Sequence, residues 1–168
     1  MKEERMDSGE LLLSCMKQKL ILLTKTSDLT KQMEVHSMQT DIEMGDLADQ
    51  RQVFLDRLKK CESVIASCNA TLPEKQQKRQ KKILHGDFPK EECSASETEL
   101  LECAVKCREL LCNILTMDKQ VRERLQNECS RLQNLLHNAR KASSLAGKKA
   151  AALLQSQNPQ HSTGTKMS

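Results

Sequence analysis

The sequence predicts an all-α protein, an elongated antiparallel three-helix bundle or helical hairpin with coiled-coil packing and a flexible C-terminal tail. Two runs of apolar residues at alternating steps of three and four carry that prediction. Between residues 46 and 72, Leu47, Phe54, Leu58, Cys61, Ile65, Cys68 and Leu72 keep the rhythm, and Arg51 interrupts it. It returns through Leu100, Ala104, Cys107, Leu111, Ile114, Val121, Leu125, Leu132, Leu135 and Ala139, with interruptions at Asp118 and Glu128. Apolar side chains at this spacing form the seam that packed helices share. The third observation is compositional: 38% apolar, 30% charged, no Trp or Tyr, and Phe only at 54 and 88. A spherical core draws on aromatics for buried area, and no segment alternates with period two. A thin bundle of Leu, Ile, Met, Ala and Cys is expected instead.

The first helix is predicted from about residue 8 to residue 44, capped by Asp7 or Ser8. Leu13, Met16, Leu20 and Leu23 form its stripe, which Leu29, Met33, Met38 and Ile42 continue with slips in register. Gly45-Asp46 predicts a break, since Gly tolerates positive φ and Asp is a good N-cap. A second helix then runs from residue 46 to about residue 72, where Pro73 ends it. Residues 74–84 are strong helix formers behind a proline suited to a first turn, so the helix extends or restarts there. His85-Gly86-Asp87-Phe88-Pro89 is a breaker. Ser94 with Glu97, and Ser96 with Glu99, have the capping-box spacing. The last long helix therefore starts near residue 95 and reaches about residue 146, where Gly147 is expected to interrupt it. Residues 148–155 are too short for an isolated helix, and residues 156–168 are expected to be a disordered tail. The whole reads as one helical domain over residues 1–155.

The net charge is +4 from 27 basic and 23 acidic residues, mostly interspersed. The one basic run, Lys75, Lys78, Arg79, Lys81 and Lys82, has no interleaved aromatics for base stacking. It reads as a solvated helix, and no nucleic-acid partner is expected. No stretch approaches the roughly 18 apolar residues of a membrane span. Acidic residues precede the first apolar run, and Lys17 and Lys19 divide it, unlike a signal peptide. A cytoplasmic protein is expected, in which most of the eight cysteines serve as small reduced hydrophobes.

The sequence carries no complete catalytic or metal-binding set. There is no phosphate loop and no Gly-x-Ser-x-Gly elbow, and His36, His85, His137 and His161 fall on different elements. Asp118 and Glu128 lie ten residues apart, about 15 Å along a helix, too far to share a proton. They read as residues that fix helix register or mark where the seam opens. Cys103 and Cys107, one turn apart, supply half of a tetrahedral zinc site, with His85, Cys93 or Cys112 as conceivable partners. No second paired spacing completes it. The expectation is a non-enzyme with no cofactor and no metal. Beyond the main seam, Cys103, Leu110 and Met117 form a second stripe that Leu136, Leu145 and Leu153 lead onward. It either packs against the first helix or leaves a groove for an incoming amphipathic helix.

A long N-terminal helix is followed by Ile42-Glu43-Met44-Gly45-Asp46-Leu47 and Gln50-Arg51-Gln52-Val53-Phe54-Leu55-Asp56-Arg57-Leu58. The last helix carries Ile114-Leu115-Thr116-Met117-Asp118, and Gly147-Lys148-Lys149-Ala150 near its end. Across roughly residues 8–155 this order resembles the FlgN-like and FliT-like bacterial flagellar export chaperones. The resemblance implies a cytosolic helical protein that holds a late flagellar substrate before secretion. The implied client is a terminal segment of a hook-associated or filament-cap protein, with the export machinery as a further partner. The family's client-binding region corresponds here to Leu132, Leu135, Leu136, Ala139, Leu145, Leu153 and Leu154. The residues themselves leave two other readings open: a structural coiled-coil adaptor acting as a homo-oligomer, and a cysteine-based metal or redox sensor.

Overall fold

A computed structural model describes residues 7–157. Every regular element among them is helical: α1 (Ser8–His36), α2 (Gly45–Ala70), α3 (Glu74–Leu84) and α4 (Ala95–Ser156), with one 3-10 turn at Lys90–Glu92. The protein is all-α, and no helix among the described residues is long and apolar enough to cross a membrane. The chain divides after Arg124 into two units, so α4 begins in the first and ends in the second.

The first unit holds the core. Leu12, Met16, Leu22 and Leu23 of α1 meet Cys61 and Ile65 of α2, Ile83 of α3, and Leu100, Ala104, Cys107 and Ile114 of α4. Ion pairs give the directions. Lys17 pairs with Glu99, and Arg124 donates to Ser37 Oγ, so α1 and α4 run the same way. Lys19 pairs with Glu62, while Arg51 reaches Met33, so α2 runs back against α1. The Cys61 thiol also donates to the Cys15 carbonyl at 3.1 Å. Further along α1, Thr26 and Thr30 are completely buried. Their hydroxyls donate to the Leu22 and Thr26 carbonyls one turn back, which satisfies groups that have left water.

The helix ends follow local chemistry. α1 stops at His36, well short of the expected residue 44. Ser37 turns the chain there: its Oγ donates to the Glu34 carbonyl and accepts from Arg124, and the next two amides make only three-residue turns back to Val35 and His36. Gly45 does not act as a left-handed break. It is the first residue of α2, behind Met44, and Gly86 alone among the described residues has positive φ, at 74°. α2 ends at Ala70, and α3 restarts behind Pro73 as a separate helix. α3 closes on a Schellman motif: the Gly86 amide returns to the Ile83 carbonyl and the Asp87 amide to the Lys82 carbonyl. Ser94 opens α4 by accepting from the Glu97 amide at 3.3 Å. The Glu97 carboxylate does not complete the capping box; it binds Arg79 instead. α4 then passes through Gly147 without a break and reaches Ser156. A lone Gly costs only about 1 kcal/mol relative to Ala, and residues 148–155 extend an existing helix rather than nucleating one. Of the expected tail, residues 158–168 lie outside the described residues.

Candidate functional site

Beyond Arg124 no described residue is buried; Glu128 is partly covered and Leu125 is 38% exposed. The Glu128 carboxylate accepts two hydrogen bonds from Arg131, at 2.6 and 2.8 Å, and these hold its pKa below the ordinary carboxylate value. Along the rest of α4 the large apolar side chains stand in solvent. Leu132, Leu135 and Leu136 are 51–53% exposed, Leu145 59%, Leu153 62% and Leu154 70%, with Ala139 exposed among them. The seven residues singled out in the sequence thus share one helix and are all uncovered.

The face is continuous in register with the core. Leu100, Cys107, Ile114 and Val121 recur every seven residues and are buried. Glu128 and Leu135 occupy the next two positions of that series. The parallel series of Leu125, Leu132, Ala139, Ala146 and Leu153 keeps the same interval. Apolar residues at this interval fall along one side of the helix. Several large side chains on one strip also differ from the isolated apolar residues normal on surfaces.

Two of the three interruptions of the predicted seams are partners. Arg51 Nη2 of α2 donates to Asp118 Oδ2 of α4 at 2.6 Å, with side chains 15% and 21% exposed, and Nη1 approaches Met33 Sδ of α1. Arg51 Nε is buried without a partner. One guanidinium thereby touches three helices. The periodicity marked both positions as irregular; their pairing had no signal in sequence because they lie 67 residues apart.

All eight cysteines are free thiols, and among the described residues no group of three or more His, Cys, Asp or Glu is placed to hold a metal ion. Burial pushes the thiols of Cys61 and Cys103 up, and that of Cys107 up to about 11. A protonated buried thiol is neither a good nucleophile nor a metal ligand. These three side chains act in the core. Sequence reasoning missed a cleft in the first unit that Cys107 and Asn69 help to line. Its one sequence signal was a polar Asn four residues after Ile65 on the buried side of α2.

No protein-family model matches the chain, and neither does any curated protein or solved structure.

Proposed function

We propose that the protein is a non-catalytic chaperone that holds an amphipathic segment of a client along the exposed leucine face of α4 beyond Arg124. The observation that carries this reading is the run from Leu132 to Leu154, whose large side chains stand more than half exposed on one helix. A client helix laid on that face buries apolar surface on both sides. Each leucine covered contributes about 1.5 to 3 kcal/mol. Fixing a client backbone opposes this by about 1 to 2 kcal/mol per residue, so the complex is reversible, as delivery requires. The client class comes from the resemblance: a late flagellar substrate, hook-associated or filament-cap protein, held in the cytoplasm before export. In this reading α1, α2 and the first half of α4 form a three-helix bundle with coiled-coil packing.

The test is co-purification from the source cell under reducing conditions, with partners identified by mass. One flagellar export substrate at fixed stoichiometry is expected, lost with Leu135→Asp and Leu136→Asp while helicity by circular dichroism is kept. Retention of the complex by that pair overturns the site. A second reading, the coiled-coil adaptor, is favoured by the seven-residue interval of Leu125, Leu132, Ala139, Ala146 and Leu153. It requires a stable homo-oligomer at micromolar concentration, which sedimentation reads directly.

A further inference from the structure

A cleft of about 420 Å³ opens on the first unit, lined from all four helices. Its floor is Met16 of α1, Ile65 of α2, Leu84 of α3, and Ala104 and Cys107 of α4, with exposed Ala66 and Leu111 at its sides. The size and apolar lining are those of a binding site. Polar residues border it. The Asn69 side chain is 5% exposed, and its Oδ1 is buried without a hydrogen-bond donor. Around the cleft stand Lys19, Lys81, His85 and Arg108, against the single carboxylate of Glu62. Glu62 pairs with Lys19, and Asp87 outside the cleft pairs with Arg108. Lys81 has no ion-pair or hydrogen-bond partner for its ammonium among the described residues. Three residues before it, and so on the same side of α3, Lys78 is held only by Glu74 in an exposed pair.

We propose that this cleft docks an acidic peptide segment of a partner protein, taking one bulky apolar side chain into the space between Ile65, Leu84 and Cys107. The apolar floor selects the anchor. The Lys78 and Lys81 side of α3 draws carboxylates on either side of it, over a span longer than the cleft. Lys78 lies outside the cleft lining while Lys81 is part of it, so their charges extend past the cleft, which favours a peptide over a small amphiphile. The site lies wholly in the first unit and does not depend on the leucine face beyond Arg124.

The probe is a fluorescein-labelled peptide of glutamates flanking a central Phe, titrated against the full chain by fluorescence anisotropy. Saturable binding is expected, weakened by at least about tenfold when Ser replaces the Phe and again at high salt. Ala66→Trp, which fills the mouth from an exposed position, and Lys81→Glu, on the surface, should each weaken it by about tenfold or more, with helicity unchanged. Leu135→Asp with Leu136→Asp should leave it intact, which separates this site from the leucine face. Equal binding of the Phe and Ser peptides, or indifference to both cleft variants, overturns the proposal. So does dodecanoate binding, blocked by Ala66→Trp, where the peptide does not bind.

Discussion

Arg51 and Asp118 show how two local irregularities resolve into one interaction. Each polar group breaks an apolar seam, and each is tolerated because the other neutralises it at 2.6 Å. Asp118→Ala strands a guanidinium whose Nε already lacks a partner. It should cost about 2 kcal/mol, between an exposed pair and a fully buried one. Arg51→Met with Asp118→Leu removes both charges and should cost less than either single alanine substitution. Urea denaturation of the set reads this, and additive losses would show that the pair is not coupled. Thiol chemistry gives a second prediction at this scale. Reactivity follows the thiolate, and a Cys107 pKa of about 11 leaves about one part in a thousand ionised at pH 8. Cys112 and Cys129 are exposed, so they should react with an aromatic disulfide reagent at pH 8 in a fast phase. Cys61, Cys103 and Cys107 should react only as the protein opens. Fast modification of all eight would mean the first unit is not closed around them.

At the scale of the element, two glycines should respond oppositely to alanine. Gly147 lies inside α4, where an added Cβ meets nothing within 4 Å, so Gly147→Ala should stabilise the local helix by about 0.5 to 1 kcal/mol. Gly86 sits at φ 74°, and its Cβ would come within 3.2 Å of Val105, so Gly86→Ala should destabilise the protein by more than that. Amide exchange along α4 reads the first, and a thermal melt the second. These sites also show what sequence could and could not supply. The breaker at Gly86, a helix behind Pro73 and a start of α4 near residue 95 are local chemistry, which the residues indicate. The end of α1 was not legible, because Ser37 is held by Arg124, 87 residues away. The continuation through Gly147 was misread because one Gly is a small penalty inside a helix already nucleated. Periodicity placed Leu132, Leu135 and Ala139 on one face with the core residues Ile114 and Val121. It identifies which residues share a face and is silent on whether anything covers that face. The cleft was less legible still, since Asn69, Lys81 and Cys107 meet only once three helices have packed.

At the scale of the molecule, burial and helicity part company. Every buried residue described lies between Leu12 and Val121, while α4 continues to Ser156. A helix with no buried face is held by propensity and local pairs such as Glu128 with Arg131, and these are worth only tenths of a kcal/mol each. The first unit should therefore be thermodynamically indifferent to the second. A chain ending after Arg124 should unfold cooperatively with a midpoint within about 5 °C of the full chain, equivalent to about 1 kcal/mol. It should still bind the acidic peptide and should lose the client. In the full chain, amides of residues 125–157 should exchange far faster than those of residues 100–121 on the same helix, because local opening there exposes no core. If the proposed function holds, a client should narrow that contrast, because covering the leucine face protects its amides. A large fall in the midpoint on truncation would instead mean that residues beyond Arg124 already cover apolar surface in the free protein, and the face would then be unavailable to a client until that cover is displaced.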